Sequence, residues 1–350
     1  MFYDRLSLHA LPGRPKHISL KTRIFQHIRT VEVLRDAAKQ FRPELVFCRG
    51  TAGVYGHLLR EYAGIPYVVE SFEPHAEYMR QTKTWNPLDP RYMVQRMWEK
   101  KVKKSASALI TVSKGYAEYL RTEERIEPDR LFSVPCWVDT ARFNIAPELR
   151  ERFRKELGIK NQTVAIYVGK FGGIYCPSSL LESFRELQYA IAGGLYVIIL
   201  SDHDPAAIHL ELDRAGVPPS DRFVGFVDHG EVNAYLNAAD FALSFINAGP
   251  WSFACSAIKH GEYWAAGLPV LMPPCVGDES QWLEKRKAGV FVDFGDPQSV
   301  RCAGEKIAQL IREPGLKKRL HRLAEEERGA GPLTDAYRRI LERIDGRSVA

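Results

Sequence analysis

Short apolar strands alternate with helices in two stretches of this sequence, and that alternation limits the fold more than any other feature. The first stretch contains predicted strands at Leu45–Cys48, Pro66–Val69, Ala108–Val112 and Leu131–Val134. The second contains predicted strands at Thr163–Val168, Leu195–Leu200, Arg222–Phe226, Phe241–Phe245, Val270–Met272 and Gly289–Val292. Apolar strands separated by helices are typical of parallel sheets that are covered on both faces. The sequence therefore predicts an α/β protein.

The helices between these strands follow from apolar spacing and from helix-end residues. We predict helices at Leu20–Gln40, Ala52–Ala63, Arg91–Ser105, Lys114–Thr122, Pro177–Leu187, Gly230–Ala238, Ala257–Ala266 and Glu279–Lys285, with a charged helical tail at Val300–Ile344. A chain of 350 residues exceeds what one core usually holds. A polar, turn-rich segment at 135–147 separates the two stretches. We expect an N-terminal domain at 1–140, a C-terminal domain at 141–330 and a terminal helix at 331–350.

The overall charge favours anionic partners without choosing among them. A formal net charge of +6 and a pI near 8.9 suit nucleotides, phospholipid headgroups or nucleic acid. Basic residues gather at Lys100, Lys101, Lys103 and Lys104. This cluster is either a solvated helix face or a contact with an anionic membrane surface.

Cysteine spacing and hydropathy exclude several other classes. The six cysteines form no C-x-x-C pair, so neither a zinc knuckle nor a redox motif is indicated. No apolar run is long enough for a membrane span, and the N-terminus lacks the pattern of a secretion signal. We expect a cytoplasmic protein that at most rests on the inner face of a membrane.

The stretch Ser256–Met272, SAIKHGEYWAAGLPVLM, indicates a helix that stops abruptly and leads into a buried strand. Gly267 occupies the position of a left-handed cap, and a proline follows two residues later. Helical spacing places Lys259, Glu262 and Tyr263 near one another. A lysine and a carboxylate at a helix N-terminus suit a ligand with phosphate and hydroxyl groups. The alternative is an ordinary solvated Lys–Glu pair.

The segment KHGEYWAAGLPVL within this stretch resembles the donor-site pattern E-x-x-A-x-G-x-P-V of family 4 glycosyltransferases, retaining enzymes of the GT-B fold. The resemblance implies two Rossmann-like domains that face each other across a cleft. It also implies that Glu262 holds the ribose of a nucleotide-sugar.

A second segment, TVAIYVGKFGGIY, resembles the family's glycine-rich loop after the first strand of the C-terminal domain. Glycines there let backbone amides approach phosphate closely. The resemblance implies that Gly169, Lys170, Gly172 and Gly173 contact the donor diphosphate. The family's second cation is missing from this loop, and Lys259 is its predicted replacement.

Two further segments extend the predicted site. DRFVGFVDHGEVNAYLNAADFALSF matches the family's V-x-F-x-G-x-V run, which makes Gly225 and Phe226 candidates for contact with the nucleobase. On the N-terminal side, VVESFEPHAEYM places His75 after a strand, where family members often carry a histidine that touches the donor sugar. We therefore predict His75 and Lys170 as the catalytic residues.

The chain also departs from the family pattern. The family pairs two glutamates in E-x(7)-E, but Ala254 stands eight residues before Glu262. The donor sugar therefore cannot be inferred. No D-x-D motif lies in a suitable loop, and GT-B enzymes generally need no metal, so we expect no metal and no cofactor.

The resemblance leads to a specific expectation about activity. We expect a hexosyltransferase-type enzyme that moves a sugar, with retention, from a UDP- or GDP-linked donor to a sugar or lipid-linked acceptor. We expect no nucleic-acid partner. Two alternatives stay open: a non-catalytic nucleotide-sugar-binding GT-B protein, and a GT-B sugar-nucleotide epimerase.

The N-terminal domain is predicted to be truncated. Relatives open with a strand, a glycine-rich loop and a helix, whereas only Leu6–Leu11 and one helix precede Leu45 here. We therefore expect about one βαβ unit to be absent, with fewer strands in the first sheet and an incomplete gene product. Loss of a central strand would leave apolar residues around Leu45–Cys48 and Pro66–Val69 unusually exposed.

Overall fold

A computed structural model describes residues 20–71, 73–171, 175, 181–246 and 249–346 of the chain. The short strand predicted at Leu6–Leu11 lies outside these residues, as do Gly172 and Gly173.

The N-terminal part forms a parallel sheet of four strands in the order β1-β2-β3-β4. The strands are β1 (Val46–Arg49), β2 (Tyr67–Ser71), β3 (Ala108–Thr111) and β4 (Leu131–Ser133). The helices of this part are α1 (Leu20–Phe41), α2 (Gly53–Ala63), α3 (His75–Gln81), α4 (Pro90–Ser105) and α5 (Lys114–Thr122). Val46 pairs with Tyr67, Val68 with Ala108 and Leu109 with Leu131.

The C-terminal part forms a parallel sheet of six strands in the order β10-β9-β8-β5-β6-β7. Its strands are β5 (Thr163–Val168), β6 (Leu195–Leu200), β7 (Arg222–Gly225), β8 (Phe241–Leu243), β9 (Val270–Met272) and β10 (Gly289–Phe291). Its helices are α6 (Pro147–Glu156), α7 (Ser183–Ala190), α8 (Pro205–Arg214), α9 (Val232–Ala238), α10 (Ile258–Ala265), α11 (Glu279–Lys285), α12 (Pro297–Leu310), α13 (Leu316–Arg328) and α14 (Ala330–Ile344). The predicted α/β class with two parallel sheets is confirmed.

Burial on both faces explains why these strands could be located from sequence. All six residues of β6 are buried, because helices cover the sheet on either side. The predicted bounds of β5, β6, β9, α5 and α11 agree with the structure. Other predictions failed. Helices α3, α6 and α8 were not predicted. Helix α7 begins at Ser183, and Pro177, the predicted start, lies outside the described residues.

The expected exposure of the first sheet is wrong for β2 and partly right for β1. Tyr67 and Val68 are fully buried, whereas Phe47 exposes 47% of its surface. Val68 is buried because α14 returns to the N-terminal part and covers its face, whereas Tyr67 packs with Val102 and Leu109 in a separate cluster. Ala336 and Ile340 of α14 join one apolar cluster with Val68, Ala108 and Ile110.

The described residues contain four strands in the first sheet and six in the second. Residues 1–19 lie outside the described ranges. The loss of a βαβ unit, like the predicted domain boundaries, therefore stays a prediction.

Three contacts hold the carboxyl edges of the two sheets against each other. The backbone N–H of Lys114, at the start of α5, donates to both carboxylate oxygens of Asp278 at 3.0 and 2.8 Å. The ring of Tyr119 meets Trp251 edge-on, with 5.1 Å between centroids. A Cβ placed on Gly249 would lie 1.9 Å from Nε2 of Gln81, so α3 touches the loop after β8.

Gly267 follows the C-terminal end of α10 in the left-handed conformation that the sequence predicts, with a φ of +79°. A Cβ at this position would lie 2.8 Å from Cβ of Lys317 and 3.1 Å from its Cα. We expect Gly267→Ala to lower the free energy of unfolding by about 2–4 kcal/mol, from left-handed strain and from overpacking against α13. Urea denaturation followed by circular dichroism measures the change.

Gly315 provides the matched control, because its φ is +77° and a Cβ there would meet nothing within 4 Å. Gly315→Ala should therefore lose only the strain contribution of about 1–2 kcal/mol. Equal losses for the two variants would show that the contact with α13 does not matter.

Candidate functional site

Helix α10 starts at the carboxyl edge of the second sheet and is anchored there by its buried side chains. The Tyr263 hydroxyl accepts a hydrogen bond from the backbone N–H of Val168, the last residue of β5, at 3.0 Å. The ring of His260, fully buried, lies 2.6 Å from the Ser244 hydroxyl that follows β8. These two contacts fix the helix relative to the ends of two adjacent strands. Lys259 and Glu262, three residues apart, therefore lie at that edge.

The ammonium group of Lys259 is buried and has no hydrogen-bond partner among the described residues. It lies 4.8 Å from the ring centroid of Tyr167 and 4.4 Å from that of Tyr175. Aromatic faces attract a cation but do not replace its hydrogen bonds. Burial lowers the pKa of Lys259 to about 7, and the nearby Glu262 carboxylate only partly opposes this. A buried cation without a partner is expensive, and such groups concentrate at functional sites.

Gly169 lies directly beside this ammonium group. A Cβ on Gly169 would lie 2.7 Å from Nζ of Lys259, and the φ of Gly169 is +146°. A side chain here would occupy the space that the lysine faces. The structure thus brings Gly169 and Lys259, two of the predicted donor-binding residues, into contact.

The Glu262 carboxylate is buried and already has one partner, which the sequence analysis missed. Nε2 of His229 lies 2.9 Å from Oε1 of Glu262. The His229 side chain is 60% exposed, and its ring lies 5.2 Å from that of Phe143. His229 follows the V-x-F-x-G-x-V run by only a few residues. That position after a strand was the available signal, but the spacing does not reveal which side chain turns back toward α10.

The other described residues that were predicted to bind the donor make no hydrogen bond or ion pair with Lys259 or Glu262. Gly225 ends β7, and Phe226, the next residue, exposes 71% of its surface. The side chain of Lys170 is 74% exposed and lies 4.0 Å from Asp202. In this conformation Lys170 faces solvent and Asp202, while Lys259 is the cation beside Gly169. Gly172 and Gly173 lie outside the described residues.

On the N-terminal side, His75 begins α3 and borders a small cavity of about 60 Å³. Its Nδ1 lies 3.4 Å from Oε1 of Glu73, which raises the pKa of His75 above its ordinary value despite partial burial. The ring of Trp85 meets His75 edge-on at 5.8 Å. Glu99, also on the cavity wall, accepts a hydrogen bond from the Ala76 N–H at 2.9 Å, and burial raises its pKa. This cavity therefore combines a histidine with two carboxylates.

Two structural features are missing from the described residues. Within these ranges, no three His, Cys, Asp or Glu side chains converge in an arrangement that could hold a metal ion. No helix in the described part of the chain is long and apolar enough to cross a bilayer.

Two parallel sheets whose carboxyl edges meet, with a lysine and a glutamate on a helix at one of them, define the GT-B class of α/β proteins. The family described as glycosyl transferases group 1 matches residues 150–328, and the glycosyl transferase 4-like domain matches residues 3–137. The chain belongs to the glycosyl transferases group 1 family.

Individual relatives are distant. Spore coat protein SA of Bacillus subtilis (strain 168) is 21% identical over 234 residues, or 64% of this chain. The match covers 60% of that relative, which is less than two thirds of its length.

Solved structures agree in fold at low identity. Sucrose-phosphate synthase (tll1590) from Thermosynechococcus elongatus superposes with a TM-score of 0.74 at 16% identity, covering 96% of this chain and 82% of that one. Anabaena Alr3699/HepE in complex with UDP-glucose superposes with a TM-score of 0.67 at 14% identity, covering 90% and 82%. The fold therefore matches over most of both proteins, including one that binds a nucleotide-sugar.

The unpartnered state of Lys259 leads to a prediction about stability. Because its pKa is lower in the folded chain than in the unfolded one, folding releases a proton between about pH 7 and the ordinary pKa of lysine. The destabilisation is therefore full below pH 7 and shrinks as the pH rises above it. We expect Lys259→Met to raise the free energy of unfolding by about 1–3 kcal/mol at pH 6, and by less at pH 9.

Urea denaturation at the two pH values measures this difference. Lys306→Met, at an exposed position of α12, provides the control and should change little at either pH. A Lys259→Met variant that is less stable than the parent at pH 6 would show that the lysine is a structural element.

Proposed function

We propose that this protein is a glycosyltransferase of the retaining, hexose-transferring type that takes its sugar from a UDP- or GDP-linked donor. The observation that carries the proposal is the buried Lys259 ammonium beside Gly169, with the Glu262 carboxylate one helical turn away. A nucleoside diphosphate presents phosphate oxygens and ribose hydroxyls, and this pair offers a cation for the first and an acceptor for the second. The binding of UDP-glucose by Anabaena Alr3699/HepE supports the same ligand class.

The donor would complete hydrogen bonds that the free protein lacks. A phosphate oxygen placed at Gly169 would accept from the Lys259 ammonium, which has no partner among the described residues. That contact would favour the protonated amine and return its pKa toward the ordinary range. As the bond from diphosphate to sugar breaks, negative charge grows on the leaving phosphate. A preformed cation in a site with little water stabilises that charge more than it stabilises the bound donor.

Glu262 and His229 would fix the ribose rather than transfer a proton. The carboxylate accepts from ribose hydroxyls, while His229 holds its other side at 2.9 Å and so limits its rotation. His229 is 60% exposed, which places it at the mouth of the site where a nucleoside would enter.

Front-face transfer with retention needs no dedicated protein base. The titratable groups that line the small N-terminal cavity are His75, Glu73, Glu99 and Lys103. We place the donor sugar and the acceptor hydroxyl beside His75. The acceptor is proposed to be a sugar or a lipid-linked sugar. The reaction is proposed to need neither a metal nor a cofactor, so transfer measured with a strong chelator present should continue at the same rate.

Glu262→Gln tests the ribose contact, because it keeps the shape and removes the charge. Hydrogen bonds to charged groups are worth about 1.5–3 kcal/mol, so we expect at least about a tenfold loss of affinity for UDP or GDP, whichever binds the parent. Calorimetry measures the affinity, and the unfolding midpoint should stay close to that of the parent.

The 2′,3′-dideoxy form of the same nucleotide serves as the matched control ligand. It lacks the hydroxyls that Glu262 would accept from, so parent and variant should bind it equally weakly. A variant that still prefers the ribonucleotide by the parent's margin would overturn the ribose assignment.

Lys170→Ala tests whether the exposed lysine reaches the leaving group during the reaction. Lys170 would have to leave Asp202, a weak surface pair at 4.0 Å, which costs little. We expect turnover to fall at least about tenfold with a smaller change in donor affinity, since a charge that acts mainly in the transition state affects kcat.

Asp202→Asn is the control for this experiment and should leave turnover within about twofold of the parent. If Lys170→Ala weakens donor binding without changing kcat, the lysine only anchors the donor. If neither value changes, Lys170 is a surface residue.

One observation favours a second candidate, a non-catalytic nucleotide-sugar-binding protein. Ala254, which replaces the family's first glutamate, is fully buried in a short turn that packs against α5. The donor sugar therefore loses one expected contact. Bound donor without transfer to any acceptor would favour this candidate. Appearance of an epimeric donor in proton NMR spectra, without acceptor, would favour the epimerase alternative.

A further inference from the structure

Helix α4 presents an outward face that combines large apolar side chains with lysines. Met93, Val94 and Met97 expose 62%, 52% and 47% of their surfaces. Lys100, Lys101 and Lys104 continue the same face toward the end of the helix and are exposed. At 3.6 residues per turn, these six positions fall within about 120° of arc. We call these six residues the α4 face.

The opposite side of α4 packs on the domain. Tyr92, Val102 and Lys103 are buried there. Lys103 forms an ion pair with Glu124 at 3.0 Å, so it does not belong to the basic cluster predicted from sequence. The remaining lysines differ from it, because Lys100, Lys101 and Lys104 form no ion pair within the described part of the chain. The α4 face is therefore positively charged and unneutralised.

Positive charge continues beyond the last turn of α4. An open groove of about 420 Å³ is lined by four cationic residues. Two of them are ion-paired, Arg130 with Glu127 at 3.0 Å and Arg343 with Asp129. The cationic residues of the groove are Arg60, Lys104, Arg130 and Arg343. Lys104 belongs to both surfaces, so the groove extends the basic end of the α4 face.

The apolar end of the α4 face lies next to the candidate site. The loop between α3 and α4 carries Leu88, which exposes 87% of its surface. The same loop carries Trp85, whose ring contacts both His75 and, at 5.7 Å, the guanidinium of Arg91. A surface seated on Leu88 and Met93 would therefore lie close to His75.

We propose that the α4 face binds an anionic phospholipid bilayer, with Leu88, Met93 and Met97 at the headgroup boundary. The lysines would meet lipid phosphates, in the manner of an interfacial amphipathic helix. Resting on the proposed glycosyltransferase function, this orientation further assigns the acceptor to lipid-linked sugars, delivered to His75 from the bilayer surface.

Two features favour a bilayer over other partners. A solvated helix face has no use for three large exposed apolar side chains next to one another. A nucleic acid would match the lysines through its phosphates but would leave Met93, Val94 and Met97 in water. Only a surface with an apolar interior below an anionic layer satisfies both halves of the α4 face.

Vesicle flotation of the full chain tests the proposal, with phosphatidylcholine alone and with about one third phosphatidylglycerol. We expect binding only to the anionic vesicles. Replacing Lys100, Lys101 and Lys104 together by alanine should weaken binding about a hundredfold, given the usual contribution of each lysine near such a surface. Replacing Met93, Val94 and Met97 together by serine should also release the chain from vesicles.

The matched control replaces Lys155, Lys160 and Lys306 together by alanine, which removes the same charge from exposed positions of the C-terminal part. This control should bind vesicles like the parent. Equal weakening by both lysine triplets would show a general charge effect and overturn the proposal. Heparin binding as tight as vesicle binding, with the serine variant unaffected, would assign the face to a soluble polyanion instead.

Donor affinity separates this inference from the function on which it rests. The α4 variants should bind the nucleotide donor like the parent in solution, because their changes lie outside the site. Vesicle binding without donor binding would refute the glycosyltransferase and keep the membrane surface. Donor binding without vesicle binding would refute the membrane surface and keep the function.

Discussion

The guanidinium of Arg328 and the carboxylate of Glu279 form an ion pair with almost no solvent contact, and the parts of the chain that build the site meet at it. Arg328 ends α13, donates to the carbonyl of Cys136 at 2.9 Å and accepts from the N–H of Val138 at 2.8 Å. Glu279 starts α11 and accepts from the N–H of Ala257, just before α10, at 3.2 Å.

Burial alone would raise the pKa of Glu279, but Arg328 and His260 together hold it below its ordinary value. Separating such a pair leaves an uncompensated buried charge, which typically costs about 3–5 kcal/mol. The segment between the domains, α10 and α13 are thus held in one arrangement.

The surroundings of Arg328 differ from those of Lys259, the buried cation of the candidate site. Arg328 has a carboxylate, a carbonyl and the ring of Trp282 around it. Lys259 follows shortly after Ala257, the residue whose N–H binds Glu279. The Lys259 ammonium lies over two aromatic rings and has no hydrogen-bond acceptor among the described residues. Both cations are buried, but only Arg328 has a carboxylate partner within ion-pair distance. Stability alone would not retain the second in this state. The simplest physical reading is that its acceptor arrives with a ligand.

The sequence predicted those elements that local patterns determine. Strands β5, β6 and β9 are continuous apolar runs that no other secondary structure accommodates as well, and Gly267 is a cap that only glycine adopts easily. The family resemblance also implied that Gly169, Lys259 and Glu262 belong to one site. The sequence could not predict the direction in which a loop side chain points. Lys170 turns to Asp202, and His229 turns back to Glu262, through contacts between residues 32 and 33 positions apart.

The burial of Val68 in β2 also could not be read from the strand's own residues, since the helix that covers this face comes from the far end of the chain. Val68 packs against Ile340, and Tyr337 of the same helix donates to the Glu70 carboxylate. The chain therefore passes between the two sheets twice, once through residues 135–147 and once between α13 and α14. Because the chain crosses twice, the two parts of the molecule do not depend on the segment at 135–147 to stay associated. A protease that cut only the segment at 135–147 would leave two fragments clasped together by α14, and the cut molecule would keep its shape until it was denatured.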